Sequence, residues 1–268
     1  MNYSYNNVKG IYEHVLKLGM LSPPEDIIAA WMVFKNIDQV GHMLELGSYL
    51  GGGLGMFNQL LTATGHPEVK FTGVDSLEFI GAGARQSRGA WYTDHFNRCL
   101  SEQERTSLAG LNTPQEATAW IQERTLRLTG VPIDLLSVLD ENDLDGQQYD
   151  IIHHDYGDSV KENLTTIRHC VPKLKDTGIY IVDDWCTGAP LRTVATVIAQ
   201  QEGLLFPILW GKNKVFYAKN PIRAQQVVMA MLRDPENNAK LFKGMPGSDY
   251  FGEGYKSIRM HWQAIQWA

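Results

Sequence analysis

Short apolar runs alternate with longer segments of helical spacing along most of this chain. Short apolar runs bounded by turn-forming residues indicate buried strands. Five runs have this form: His42–Leu46, Lys70–Asp75, Ile133–Ser137, Tyr149–His154 and Gly178–Val182. The segment Val8–Phe34 has helical spacing, with a helix start at Ser22–Glu25. Strands that alternate with helices are typical of a parallel sheet covered on both faces.

The last apolar runs of the pattern have a different spacing. Leu204–Trp210 and Val215–Ala218 flank the turn sequence Gly211–Lys214, which predicts a β-hairpin. The sheet should therefore end in an antiparallel pair. We expect an α/β fold with a mostly parallel sheet, an antiparallel C-terminal hairpin and helices on both faces.

A length of 268 residues suits one elaborated domain. We expect an N-terminal helical lid at 1–40, a core at 41–220 that carries an insertion at 85–128, and a tail at 221–268 with one helix, Ala224–Arg233. The insertion is longer than one crossover helix needs, and the sequence leaves open whether it and the tail cover a site or form a contact between copies. A homo-oligomer would form through the N-terminal helices or the tail.

Composition narrows the class of protein. Hydrophobic residues make up 44% and charged residues 20%, which excludes a disordered chain. The three cysteines form no CxxC pair, which favours a reducing cytoplasm over a disulfide framework or a thiolate zinc site. A net charge of −6 argues against a nucleic-acid partner, and no apolar run approaches the roughly 20 residues that cross a membrane. We expect a cytoplasmic protein with a small-molecule partner.

A glycine-rich turn follows the first predicted strand. Gly47 and Gly51–Gly53 have the spacing GxxxGGG, and Asp75 ends the second strand. Glycines between a strand and a helix let a ligand approach the main chain, and a carboxylate beside them can accept ribose hydroxyls. The spacing matches the dinucleotide pattern GxGxxG poorly. The sequence thus favours a nucleoside site, with an ordinary βα turn and a helix-capping Asp75 as the alternative.

Three acids follow the next two strands. Asp155 comes after the fourth strand, and Asp183 and Asp184 come after the fifth. Ligands bind at the carboxyl ends of strands in an open α/β sheet, and like charges that meet there repel unless a cation lies among them. Hard oxygen ligands predict Mg²⁺ or a similar divalent cation, which would activate an acceptor hydroxyl. The alternative is that each Asp caps a helix.

Two residues near these acids are candidates for catalysis. Asp158 lies in the loop after the fourth strand and is a candidate general base. His153 and His154 alternate across a strand, so only one faces the site, and we take His154 as the catalytic candidate. Either histidine can instead be a core residue whose ring nitrogens are bonded internally.

These residues resemble the class I S-adenosylmethionine-dependent methyltransferases. Within that class the chain, over about Met43–Ala218, is most similar to the metal-dependent catechol and macrocin O-methyltransferase group. Leu44–Tyr49 is similar to the first motif of the family, which holds the methionine part of the cofactor. The resemblance implies S-adenosylmethionine as cofactor and assigns these positions to it: Glu45, Gly47, Ser48, Tyr49, Gly51, Asp75, Ser76, Ser137 and Asp155.

The same resemblance covers the acids. Tyr149–Asp155 and Ile179–Trp185 are similar to the two segments that supply the metal ligands, which implies that role for Asp155, Asp183 and Asp184. The macrocin-like group has Asp-Gly-Asp after the fourth strand, whereas this chain has Asp-Tyr-Gly-Asp. Catechol-type enzymes hold a basic residue at the position of Asp158, so no substrate is carried over.

The predicted function is Mg²⁺-assisted methyl transfer from S-adenosylmethionine to a hydroxyl of a small molecule such as a natural product, with an amine as the second acceptor. An NAD(P)-dependent oxidoreductase on a Rossmann sheet is the alternative from another class. A metal-independent methyltransferase and a non-catalytic binding protein of the same fold remain further alternatives.

Overall fold

The computed structural model describes residues 10–11, 18, 22, 24–77, 97–137, 144, 146–185 and 190–234. Its elements follow the predicted alternation of strands and helices. In chain order they are α1 Pro24–Phe34, β1 His42–Leu46, α2 Gly52–Ala63, β2 Lys70–Val74, α3 Glu102–Ala109, α4 Pro114–Thr129, β3 Asp134–Leu136, β4 Tyr149–His154, α5 Val160–Cys170, β5 Leu174–Val182, α6 Pro190–Gln201, β6 Phe206–Trp210, β7 Val215–Ala218 and α7 Pro221–Arg233. A short 3₁₀ turn, Val171–Lys173, joins α5 to β5.

The strands form one seven-stranded sheet in the order β3-β2-β1-β4-β5-β7-β6. Strands β1 to β5 are parallel, and β7 runs antiparallel to β5 and β6. The last residues of the parallel strands are in register: Leu46, Val74, Leu136, His154 and Val182. The order reverses between β1 and β4, which is where an open α/β sheet binds its ligands.

Each face of the sheet is covered by its own helices. Apolar residues of α1, α2, α4 and α7 pack on one face, and those of α5 and α6 pack on the other. Side chains alternate across a strand, so Ile151 and Ile152 of β4 enter different cores. The parallel strands are buried on both faces, as their continuous apolar runs predicted.

The predicted hairpin and the mostly parallel sheet are confirmed. Two element boundaries differ from the predictions. Strand β5 begins at Leu174, four residues early, because the polar run Lys175–Thr177 hides its first half. Helix α7 begins at Pro221, where Asn220 Oδ1 accepts the N–H of Arg223 at 2.7 Å and caps the helix.

The described part of the predicted N-terminal lid is a core helix instead. Ile27, Ile28 and Phe34 of α1 are fully buried against the sheet. Most of residues 1–23, the first part of the insertion and the tail beyond 234 lie outside the described residues, and so do most of the predicted contacts between copies. Among the described helices, none is long and apolar enough to span a membrane.

Candidate functional site

The carboxyl edge of the sheet gathers the residues that the sequence singled out. The first residue after a strand continues the hydrogen-bonded ladder by donating its N–H to the last carbonyl of a neighbouring strand, at 2.8 to 3.0 Å. Four residues do this: Gly47, Asp75, Asp155 and Asp183. Because the ladder holds their backbones, the glycine turn and the acids lie along one continuous edge.

The glycine turn passes directly against the end of β4. Gly47 has φ +87°, and a Cβ at this position would lie 2.0 Å from the backbone oxygen of Asp155. Gly51, with φ +76°, is the N-cap of α2. Glycine is required at Gly47 both by the backbone angle and by the close approach. The turn therefore brings main-chain atoms to the point where the strand order reverses.

Asp75 fastens this turn to the end of β2. Its Oδ2 accepts the N–H of Tyr49 at 2.7 Å, and its Oδ1 accepts the N–H of Leu77 at 2.8 Å. Burial raises the pKa of the Asp75 carboxyl above its usual range, although the two amide hydrogen bonds lower it. Each oxygen keeps a second lone pair that can accept a hydroxyl.

Two of the predicted cofactor residues, Ser48 and Glu45, are buried at the glycine turn. Ser48 is buried and donates to the carbonyl of Glu45, whose carboxylate is also buried. Glu45 Oε1 lies 2.9 Å from His153 Nδ1 and so close to Gly53 that a Cβ there would be 2.0 Å away. Ser76 is exposed after β2 and Ser137 is half-buried after β3. The cofactor contacts assigned to these residues stay predictions.

A buried lysine lies among the acids. Lys214 is 0% exposed, and its Nζ donates to Asp183 Oδ2 and lies 3.2 Å from His153 Nε2. Burial lowers the pKa of Lys214, but Asp183, Asp26 and Asp155 raise it above its usual value. Burial raises the pKa of Asp183, yet Lys214 and His153 together hold it well below its usual range. The pair is therefore an ammonium and a carboxylate.

A second cation binds the acid that follows β4. Arg192 of α6 donates from one guanidinium nitrogen to Asp155 Oδ1 at 2.8 Å and to the backbone oxygen of Asp183 at 3.0 Å. The Asp155 side chain is 35% exposed, and burial and Asp183 raise its pKa. Asp184 has φ +55°, and burial and Asp183 raise the pKa of its carboxyl.

These contacts decide whether the acids suit a divalent cation. Mg²⁺ requires several oxygens at about 2.0–2.1 Å in octahedral geometry. Here Asp155 and Asp183 are each bound to an internal cation. Within the described part of the chain, which includes all three acids, no group of three or more His, Cys, Asp or Glu side chains is arranged to hold a metal ion. The residues present do not fit the predicted magnesium site, and that prediction for Asp155, Asp183 and Asp184 is corrected.

The catalytic prediction for His154 is corrected as well. His154 is 0% exposed and faces the core on the side of α5 and α6. Its Nε2 lies 2.8 Å from the backbone oxygen of Tyr156 and its Nδ1 lies 2.9 Å from the hydroxyl of Tyr180. Both ring nitrogens are therefore engaged, and the residue that faces the acids is His153.

Burial and the nearby Arg192 lower the pKa of His154 to about 3, so its ring should stay neutral in the folded protein from pH 8 down to pH 5. The unfolded chain protonates this histidine near pH 6.5. Its neutral ring thus contributes stability that is complete above pH 6.5 and is lost as the pH falls toward 3. Long-range ¹H–¹⁵N NMR spectra should show less than about a tenth of the ring protonated at pH 5. A midpoint near 6 would contradict this.

Asp158 lies on the exposed loop between β4 and α5. Its backbone N–H donates to Glu162 at 3.0 Å, and the side chain of Ser159 caps α5 by accepting the N–H of the same glutamate at 3.1 Å. The loop is thus fixed by the start of the helix. A role for Asp158 as general base stays a prediction.

Sequence reasoning missed Lys214 and Arg192. The signal for Lys214 was present, because the residue just before an antiparallel β7 lies at the edge where the parallel strands end. Val215 pairs with Val182, which places Lys214 beside Asp183. The sequence held no comparable signal for Arg192, because its contact with Asp155 depends on how helix α6 packs against the sheet.

The strand order, with β7 antiparallel to β5 and β6, defines a Rossmann-like sheet.

Comparison with known proteins gives similarity to solved structures only. No known family model matches the chain, and no curated protein matches it significantly. The O-methyltransferase NovP is 17% identical with a TM-score of 0.47, over 74% of this chain and 80% of its own. CalS11, a TDP-rhamnose 3′-O-methyltransferase of calicheamicin biosynthesis, is 13% identical with a TM-score of 0.42, over 72% and 76%. An rRNA methylase from Streptococcus thermophilus is 11% identical with a TM-score of 0.44, over 72% and 95%. Similarity at this level carries neither activity nor substrate to this chain.

Proposed function

We propose that this protein transfers a methyl group from S-adenosylmethionine to a hydroxyl oxygen of a small molecule, with an amine nitrogen as the alternative acceptor. The observation that carries the proposal is the position of the glycine turn. It presses against β4 at the reversal of strand order, with the Asp75 carboxylate bound to its backbone at 2.7 Å. A secondary metabolite is the proposed class of acceptor.

The described residues suit an adenosyl cofactor. Gly47 leaves no room for a side chain between the turn and Asp155, so a ligand here meets main-chain atoms. Asp75 offers lone pairs to two ribose hydroxyls, while Ser137, after the adjacent β3, is the proposed contact of the adenine. Gly51, the N-cap of α2, belongs to the same turn. S-adenosylmethionine, when bound there, supplies a methyl group on a positively charged sulfur.

The acids at the edge of the sheet suit activation of the acceptor. The acceptor oxygen forms a bond to the methyl carbon as the carbon–sulfur bond breaks, and the hydroxyl proton passes to a base. Among the described contacts, the carboxylate of Asp184 takes part in no hydrogen bond, and its raised pKa favours proton uptake. We assign the base to Asp184, with the predicted Asp158 as the second candidate. Alignment of donor and acceptor supplies the rest of the rate.

Calorimetry with S-adenosylhomocysteine and with NADH tests the proposal. S-adenosylhomocysteine should bind with a dissociation constant in the micromolar range, on the order of −8 kcal/mol, and NADH should not bind at millimolar concentration. Binding of NADH alone would favour the oxidoreductase. S-adenosylhomocysteine binding with no turnover of phenols, sugar hydroxyls, amines or bulk RNA would favour the non-catalytic alternative.

The assignment of the base requires an acceptor from that panel. Asp184→Asn should lower kcat by about 100-fold or more, which is the usual contribution of a general base. Asp158→Asn is the matched control and should retain most of the rate. The reverse result would assign the base to Asp158.

A further inference from the structure

Lys214 reaches the acids because of the direction of β7. The strand is antiparallel to β5, so it begins where β5 ends, and Val215 pairs with Val182. The residue before Val215 is therefore held beside the residue after Val182, which is Asp183. The Lys214 side chain then runs inward to His153, and the ammonium is 0% exposed.

The backbone of Lys214 is fixed as well as its side chain. Asp26 of α1 accepts the N–H groups of Lys212, Asn213 and Lys214 at 2.7, 2.9 and 3.1 Å. Gly211 lies so close to Asp26 that a Cβ there would be 2.3 Å from Oδ1. The main chain that carries Lys214 is therefore fixed to α1 by hydrogen bonds at three consecutive residues.

A buried ammonium next to a carboxylate competes directly with a metal ion. A divalent cation on Asp183 would lie within a few ångströms of the positive charge of Lys214, in surroundings that screen charge poorly. Displacing the lysine would leave a charge buried with no partner, which is strongly unfavourable. The Arg192 guanidinium holds Asp155 in the same way from the other side, 2.8 Å away.

We infer that Lys214 takes the place of the divalent cation, so that the site holds its carboxylates together and methylates its acceptor without a metal ion. Lys214 is a positioning residue, because its buried ammonium fixes Asp183 and through it the backbone of Asp184, whose N–H donates to Asp183 Oδ1 at 2.8 Å. The statement about methylation rests on the proposed function, whereas the statement about metal exclusion does not.

Titration with Mn²⁺, followed by electron paramagnetic resonance of the free ion, tests the inference on chelator-treated protein. The wild type should bind no Mn²⁺ at this site. Lys214→Met removes the ammonium from Asp183, so it should bind Mn²⁺ at least about tenfold more tightly than the wild type and gain thermal stability from it. Lys212→Met is the control in the same turn, with a side chain that is 51% exposed, and should behave as the wild type.

Two results would overturn the inference. One is a wild type that binds Mn²⁺ in the micromolar range and loses it in Asp183→Asn. The other is a folded Lys214→Met that gains no affinity. If Lys214→Met does not fold, the wild-type titration and its Asp183→Asn control decide alone. S-adenosylhomocysteine binding on the same wild-type samples separates the outcomes, because its loss would refute the proposed function and leave the metal result standing.

Discussion

Replacing Gly47 with alanine should destabilise the protein by about 2–4 kcal/mol and weaken binding of S-adenosylhomocysteine by at least about tenfold. Two effects add. The left-handed backbone costs an L-residue about 1–2 kcal/mol, and the new Cβ would lie 2.0 Å from the backbone oxygen of Asp155. The N–H of Asp155 donates to the carbonyl of Leu46 at 2.8 Å, so this part of the backbone has little freedom to move and the turn must shift away from the site. Urea unfolding and calorimetry measure the two losses.

Gly203→Ala is the matched control for this prediction. Gly203 has φ +73° and no neighbouring atom within 4 Å of a built Cβ, so only the backbone cost applies. It should lose about 1 kcal/mol of stability and leave ligand binding unchanged. Equal losses in the two variants would show that the contact with Asp155 does not hold the turn in place.

Asp75→Ala should weaken binding of S-adenosylhomocysteine by about 100-fold or more, because hydrogen bonds to a charged group contribute about 1.5–3 kcal/mol each. The carboxylate also holds the amides of Tyr49 and Leu77, at 2.7 and 2.8 Å, and alanine leaves both without this acceptor. A smaller loss of stability should therefore accompany the loss of affinity. Both are measured on the same protein by calorimetry and by denaturant unfolding.

Asp134→Ala provides the comparison, since Asp134 is an exposed acid at the opposite end of the neighbouring β3. It should change neither affinity nor stability by more than about 0.5 kcal/mol. If Asp75→Ala bound as tightly as this control, the ribose would lie elsewhere and the proposed orientation of the cofactor would be wrong.

Much of the fold follows from the order of apolar runs. Each predicted strand is present, and the turn sequence Gly211–Lys214 identified the antiparallel pair, because these signals depend on residues close together in the chain. The boundaries of β5 and α7 were less accurate. Both elements begin with residues whose pattern is not apolar, and contacts with distant parts of the chain stabilise them. Lys175 of β5, for example, pairs with Asp150 of β4 at 2.8 Å.

The site was predicted less completely, for a physical reason. Acids that follow parallel strands lie together whatever their partners are, so Asp155 and Asp183 were placed correctly at the edge. What neutralises them depends on residues remote in sequence: Arg192 is 37 positions from Asp155 and Lys214 is 31 positions from Asp183. A divalent cation and a buried ammonium can each neutralise the same carboxylates, and only the packed structure distinguishes them.

The clamp between Asp26 and the β6–β7 turn joins positions that are 186 to 188 residues apart. A growing polypeptide on the ribosome therefore lacks this junction until residue 214 has been made. Until then Asp183 has no lysine, and the nascent edge carries unbalanced negative charge. Strands β6 and β7 thus complete the ligand-binding edge only after the parallel strands have been made, and shortening the chain before residue 214 would leave that edge unfinished.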